Sequence, residues 1–308
     1  MLQTTLTFGK IRQLNTISLR SILILIILAL IWGSSFILMK IGLKAPDGTP
    51  VLSAIQVACL RMILAAIALS PFTYFGFKKI SRSDWKWLMV VGICGSGIPA
   101  FLFAISQQYI DSGLAGILNA LTPVFTLLIG LLFFHKKTHF TQVLGMVVGF
   151  IGAAGIIAMK GSSFQNASYA LLIICATLLY GISVNTVGSK LQHIPAPTIS
   201  SVSVTLAALP CLIVFFATPY EIIYTRASGW RSFMAVMVLA VLGTGFANIL
   251  FFRLTQQTGA VLASSVTYLI PLVAVGWGTL MGEMITWGQG LFAIVLLVGV
   301  YLAHRGKK

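Results

Sequence analysis

Arg61 stands near the middle of a long apolar stretch between Lys44 and Lys78, and it is the most informative side chain of the sequence. In a membrane span, a charge at this depth costs roughly 3 kcal/mol and usually faces the interior of a helix bundle. The planar guanidinium of arginine binds carboxylates and phosphates through paired hydrogen bonds. We therefore interpret Arg61 as a counter-charge for an anionic ligand; the alternatives are backbone carbonyls at a helix break or the membrane surface.

Two similar segments combine an aromatic ring with small polar side chains. Trp32 and Ser35 lie in one segment, and Tyr180 and Asn185 in the other. Aromatic faces beside hydroxyl and amide groups suit an amphipathic small molecule, although small residues also serve close packing of membrane helices. Weaker candidates for the same binding surface are Gln56, Asn248 and Ser264.

Pro123 and Pro271 lie inside two further apolar stretches. Proline lacks a backbone donor and frees the carbonyl one turn before it, and such breaks are tolerated in membranes where they line a cavity or are satisfied by neighbours. The polar residues around these breaks are Asn119, Thr122, Thr267 and Tyr268. We expect these two helices to line a ligand site, with simple packing kinks as the alternative.

Charged residues near the ends of spans, Lys40, Asp111, Arg253 and Glu283, are interpreted as interface anchors or as gating ion pairs. Lys40 and Glu283 are the candidates for a gate. His135 and His139 have a spacing that could bind a metal, but no third ligand accompanies them. We expect no metal, no cofactor and no catalytic residue.

The composition identifies the elements that hold these residues. Hydrophobic residues make up 58% of the 308 residues and charged residues 8%, whereas a soluble domain carries about 25% charge. Reading from charge to charge gives ten apolar segments, each near the roughly 20 residues of a membrane helix. These runs are continuous and not alternating, which excludes a transmembrane β-barrel.

The net charge of +15 is explained by topology and not by nucleic-acid binding. With a cytoplasmic N-terminus, the outer loops hold only five basic residues, namely Lys40, Lys44, Lys160, Arg226 and Arg231. Arg61 lies within the membrane, and the other fourteen of the 20 Lys and Arg residues fall on the inner side. The positive-inside rule therefore predicts that both termini are cytoplasmic.

An offset of 148 residues recurs along the chain. It relates Trp32-Gly33 to Tyr180-Gly181, Gly95 to Gly243, and Pro123 to Pro271. Each half then holds five helices, and an odd number inverts the second half relative to the first. Inverted repeats place a substrate site near the bilayer midplane and permit alternating access.

The segments Trp32–Lys40 (WGSSFILMK), Arg61–Ala66 (RMILAA), Ala115–Pro123 and Ala263–Pro271 resemble the EamA family of the drug/metabolite transporter superfamily. The resemblance covers roughly residues 22–303. It implies ten helices in two inverted repeats and, usually, export of amino acids or other small metabolites. Glu283 fits the acidic residue that often closes the ninth helix in this family, whereas His135 occupies the equivalent place after the fourth.

The sequence thus predicts an all-α polytopic membrane protein with ten transmembrane helices in two inverted five-helix EamA repeats. We expect cytoplasmic tails at 1–20 and 305–308, a first repeat over 21–159 and a second over 160–304. The expected function is export of amino acids or related zwitterionic or anionic metabolites across a bacterial inner membrane. Alternatives are an uptake permease or exchanger, for example for S-adenosylmethionine or a nucleotide-like compound, and a channel or structural protein. We expect no enzyme, while monomer and homodimer both stay open.

Overall fold

The structure is a computed structural model that describes residues 19–135, 139–159 and 164–305. The expected tails fall almost entirely outside these ranges, as does Lys160. Within these ranges, the first half of the chain contains seven α-helices, which are α1 (Leu19–Leu43), α2 (Ala54–Gly76), α3 (Trp85–Gly92), α4 (Ile98–Ser106), α5 (Ser112–Asn119), α6 (Thr122–Phe134) and α7 (Phe140–Met159).

The described part of the second half repeats this order with one additional short helix. Its helices are α8 (Phe164–Lys190), α9 (Ala196–Phe216), α10 (Ile222–Thr225), α11 (Gly229–Val238), α12 (Ala247–Thr258), α13 (Ala260–Ser264), α14 (Ile270–Leu280) and α15 (Trp287–Arg305). A π-helical segment joins α3 to α4 at Ile93–Gly97, and another joins α11 to α12 at Leu239–Phe246. The segments Trp85–Ser106 and Gly229–Thr258 are therefore continuous helices, but each contains a wide turn that the sequence did not predict.

Eight helical segments within the described residues are long and apolar enough to cross a membrane. They include α3 with α4, α5 with α6, α11 with α12, and α13 with α14, each joined end to end. The helices α7 and α15 are apolar as well, over Phe140–Gly155 and Trp287–Leu302. The chain is thus a multi-pass, all-helical membrane protein.

The broken helices explain how α5 and α6 are positioned. Pro123 and Pro271 occupy the second residues of α6 and α14, so each begins a new helix and does not kink an existing one. The Asn119 carbonyl, one turn before Pro123, accepts a hydrogen bond from Thr122 Oγ1 at 2.8 Å. This bond satisfies the acceptor that proline leaves free inside a buried part of the bundle.

The two halves are interleaved and do not form separate bundles. Contacts between halves join α1 to α11 and α12, α8 to α3 and α4, α2 to α9, α5 to α14 and α7 to α15. A Cβ added at Gly152 would lie 2.4 Å from the backbone nitrogen of Leu296, so α7 and α15 approach to backbone contact. Small residues permit such close packing in membranes. The arrangement leaves a cavity where the halves meet.

Candidate functional site

A cavity lies where the two halves meet. Sites for small molecules combine apolar walls with a few polar groups, and this cavity has both. Eight of the twelve side chains that the sequence analysis proposed for ligand binding line this cavity: Trp32, Ser35, Arg61, Asn119, Thr122, Tyr180, Asn248 and Thr267.

The other four candidates lie away from the cavity wall and have structural contacts. Gln56 caps α2 through Ser53 and donates to the Pro219 carbonyl at 3.2 Å. Asn185 donates to the Thr126 carbonyl at 2.7 Å, and Ser264 donates to the Val261 carbonyl at 2.9 Å. The Tyr268 hydroxyl donates to the Val300 carbonyl at 2.7 Å. We leave these four out of the proposed site.

Arg61 supplies the cationic group of the cavity. Its Nε donates to Thr244 Oγ1 at 2.7 Å, and the Thr244 side chain is buried. Among the described residues, no carboxylate lies within ion-pair distance of Arg61. Arginine carries five N–H donors, so the η nitrogens retain the capacity to bind an anion that enters the cavity.

Aromatic rings form much of the remaining wall. Trp32 meets Phe251 edge to face at a centroid distance of 5.0 Å, and Phe103 stacks on Tyr180 at 6.0 Å. Ring pairs in these arrangements are stabilised by more than the burial of their apolar area. They give the cavity an apolar surface beside the Arg61 charge, which suits a ligand with one anionic group and an apolar body.

Ten lining residues were not among the candidates for ligand binding, and they are Phe36, Met39, Gly95, Ser96, Phe103, Ser183, Val184, Gly243, Phe251 and Phe252. Helical spacing could have found several of them. Phe36 and Met39 lie four and seven residues after Trp32, and Ser183 and Val184 lie three and four residues after Tyr180. Residues at these spacings share one face of a helix.

An ion pair that includes Lys40, the residue after Met39 of the cavity wall, joins three elements. Lys40 Nζ lies 2.5 Å from Glu283 Oε1 and 3.8 Å from an Asp111 oxygen. The Glu283 oxygens also accept the backbone N–H groups of Ser112 and Gly113, at 3.0 Å each. We call Lys40, Glu283, Ser112 and Gly113 the Glu283 clamp; it connects α1, the start of α5 and the loop after α14. Arg253, the remaining candidate at a helix end, is exposed in α12.

The electrostatics of the clamp favour an ionised Glu283. Burial raises the pKa of this carboxyl, but the hydrogen bond from Lys40 and those from Gly113 and Ser112 together outweigh burial, and the pKa lies below its ordinary value. The negative charge also faces the N-terminus of α5, where the helix dipole stabilises anions. The clamp is therefore a charged contact at neutral pH.

A second carboxylate joins two loops elsewhere in the structure. Asp84 accepts hydrogen bonds from the Ser81 backbone and hydroxyl at 3.0 and 2.7 Å, and His193 Nε2 lies 3.2 Å from its other oxygen. Burial opposes ionisation, but Ser81 and His193 lower the pKa of Asp84 below its ordinary value. This contact connects the loop before α3 to the loop before α9.

Comparison with known proteins identifies the family. The model of the EamA-like transporter family matches residues 19–158 and again residues 167–305. The chain belongs to the EamA-like transporter family. The two matches correspond to the two halves that the 148-residue offset relates, so each half is one EamA unit.

Individual relatives agree with this membership. The chain is 28% identical over 287 residues to an Escherichia coli K12 protein named uncharacterized inner membrane transporter YedA, covering 89% of this chain and 90% of that protein. It is 26% identical over 162 residues to a probable terminal-alkyne amino-acid exporter of Streptantibioticus cattleyicolor, over 51% of each chain. A crystal structure with 15% identity and a TM-score of 0.62 covers 93% of this chain and 98% of that chain, which shows a shared fold.

Proposed function

We propose that this EamA-family member is a secondary transporter that exports amino acids or related zwitterionic or anionic metabolites by alternating access. The observation that carries the proposal is Arg61, a guanidinium on the wall of the central cavity with no carboxylate partner among the described residues. A substrate carboxylate would neutralise it through a bidentate contact. The named amino-acid exporter among the relatives supports this class of substrate.

We further propose ten membrane crossings, in which α7 and α15 supply the fifth and tenth. The two repeats, placed at 21–159 and 160–304, would have opposite orientations, with both termini in the cytoplasm of a bacterial inner membrane. The excess of basic residues on the proposed inner side supports this orientation, and the relative named as an inner membrane transporter supports the location. A reporter enzyme that is active only in the periplasm, fused to the C-terminus, should then give no signal; a strong signal would refute the orientation.

In this orientation the Glu283 clamp lies at the outer end of the cavity. It joins α1 and α5 of the first repeat to the loop after α14 in the second. Rocking of one repeat against the other would have to break it before substrate leaves. We therefore propose that the clamp is an outer gate.

The test is a comparison of metabolites released by bacterial cells with and without the protein. Cells are loaded with the twenty ¹³C-labelled protein amino acids, and labelled compounds are followed by mass spectrometry inside and outside. We expect faster release of one or more amino acids, and Arg61→Ala should reduce that release at least about tenfold, since hydrogen bonds to charged groups contribute about 1.5–3 kcal/mol. Arg231→Ala removes an exposed arginine and serves as the control. Unchanged release, or full release by Arg61→Ala, would refute the proposal.

A further inference from the structure

The two π-helical segments lie at equivalent places in the two repeats. Ile93–Gly97 joins α3 to α4, and Leu239–Phe246 joins α11 to α12; the 148-residue offset carries 93–97 onto 241–245. Such wide turns inside α-helices often occur at functional sites. Both segments contribute residues to the cavity wall, namely Gly95, Ser96 and Gly243.

The second π-helical segment lies directly against α1. The Gly243 carbonyl accepts the indole N–H of Trp32 at 2.9 Å. A Cβ at position 243 would lie 2.8 Å from Ser35 Oγ, closer than side chains normally approach. A side chain at position 243 would therefore force the Ser35 hydroxyl to move, and the hydrogen bond to the Gly243 carbonyl holds the ring of Trp32 at the cavity wall.

The next residue of the same segment holds Arg61. Thr244, 1% exposed, accepts the Nε–H of Arg61 at 2.7 Å. Ser96, the equivalent of Thr244 in the first repeat, accepts an amide N–H of Asn248 at 3.2 Å instead. The position of Arg61 corresponds to Leu209 in the second repeat. The contact between a hydroxyl and a guanidinium is thus specific to one repeat and cannot be a symmetric packing feature.

We infer that Thr244 is a positioning residue that sets the carboxylate preference of the cavity by fixing Arg61 through Nε. With Nε occupied, the guanidinium can rotate less, and its η nitrogens form the edge offered to substrate. Two parallel N–H groups match the two oxygens of a carboxylate, whereas a freely rotating cation offers no fixed pair of donors. The inference rests on the proposed function and adds the residue that gives Arg61 its orientation.

Thr244→Val and Thr244→Ser form the central comparison. Valine keeps the shape of threonine and removes the hydroxyl, whereas serine keeps the hydroxyl. Purified protein is reconstituted into liposomes, and release of the ¹³C-labelled amino acids is measured as a function of their concentration. We expect Thr244→Val to raise KM about tenfold with maximal rate within about twofold, and Thr244→Ser to stay within about twofold of the parent in both.

Thr186→Val is the matched control. Thr186 is also 1% exposed, its hydroxyl bonds the Ile182 carbonyl of its own helix at 2.8 Å, and it lies outside the cavity wall. We expect its KM to be unchanged. If Thr244→Val is not monodisperse after purification, Thr244→Ala takes its place in the comparison with Thr244→Ser.

A double-mutant cycle separates positioning from general damage. Lysine lacks the Nε–H group that Thr244 accepts in the parent protein. In an Arg61→Lys background, Thr244→Val should therefore raise KM by less than a further twofold. An unchanged KM in Thr244→Val, with transport still sensitive to Arg61→Ala, would overturn the positioning role and leave the proposed function standing. Equal losses in the Val and Ser variants would also overturn it. Insensitivity to Arg61→Ala, or no transport of any amino acid, would instead count against the proposed function.

Discussion

Replacing Glu283 by glutamine should open the end of the cavity where Lys40 lies. The Glu283 side chain is 6% exposed and accepts three hydrogen bonds, one of them from the charged amine of Lys40. Glutamine is nearly isosteric but is neutral, and it turns one oxygen acceptor into a donor. It therefore loses the ion pair and leaves at least one backbone N–H of α5 without its acceptor.

The size of the effect follows from these contacts. Breaking a buried ion pair costs about 3–5 kcal/mol, and hydrogen bonds to a charged group contribute about 1.5–3 kcal/mol each. Lys40 is 29% exposed, so solvent screens part of the interaction. We take about 3 kcal/mol for the loss, which corresponds to roughly a 100-fold shift from the clamped toward the open arrangement.

The assay measures access to the cavity from outside the cell. Ser35→Cys places a thiol on the cavity wall of a variant whose four native cysteines are replaced by alanine. The rate of labelling by a membrane-impermeant maleimide should rise up to about 100-fold when Glu283→Gln is added. Glu221→Gln makes the same chemical change on an exposed loop and should leave the rate unchanged. Equal labelling with and without Glu283→Gln, or an equal increase in both variants, would refute the gating argument.

Three further changes test the clamp, the packing and the second carboxylate contact. Since the folded-state pKa of Glu283 lies below its ordinary 4.5, the clamp should persist above pH 4.5 and weaken as pH falls through that lowered pKa. The rate of maleimide labelling from outside is divided by the rate in Glu283→Gln at the same pH, so that the fall in thiolate fraction cancels. This ratio should be flat from about pH 7 to 5 and rise in stronger acid. Gly181→Ala would place a Cβ 2.9 Å from a backbone carbon of α6, so the melting temperature of this variant in detergent should lie several degrees below that of the parent protein. Gly276→Ala is the control, since nothing lies within 4 Å of its added Cβ, and its melting temperature should stay within about one degree of the parent. Asp84→Asn should lower the melting temperature by about 2–4 °C through loss of roughly 1 kcal/mol of hydrogen bonding, while Asp47→Asn, on an exposed loop, should cause less change.

The class of fold could be predicted from the sequence because the bilayer restricts it strongly. Apolar runs separated by charges mark helices, since a membrane requires every backbone group to be bonded within its own segment. The repeat at 148 residues also required no structure, and the EamA family model matches residues 19–158 and 167–305 separately. The sequence offered no sign of the π-helical segments, because i+5 bonding depends on how α11 and α12 pack and not on residue type.

The candidate site was predicted in part, and the failures have one physical cause. Tyr180 lines the cavity and Asn185, five residues later, does not. In a soluble helix an apolar stripe would indicate which side faces the interior. In α8 the lipid-facing side is as apolar as the core, so periodicity carries little information about orientation. Polar residues near mid-span were therefore identified as a group, without a way to separate cavity residues from packing residues.

The amino-acid sequence alone predicts a two-unit membrane bundle with one cation, Arg61, deep inside a span. Composition and the cost of a buried charge are sufficient for that conclusion. The partner of Arg61 could not be predicted in this way, because Thr244 lies 183 residues away in the other half of the chain. The same holds for Lys40 and Glu283, which are separated by 243 residues. Contacts between distant segments depend on how the two repeats pack, and a linear pattern of apolar residues does not encode that packing.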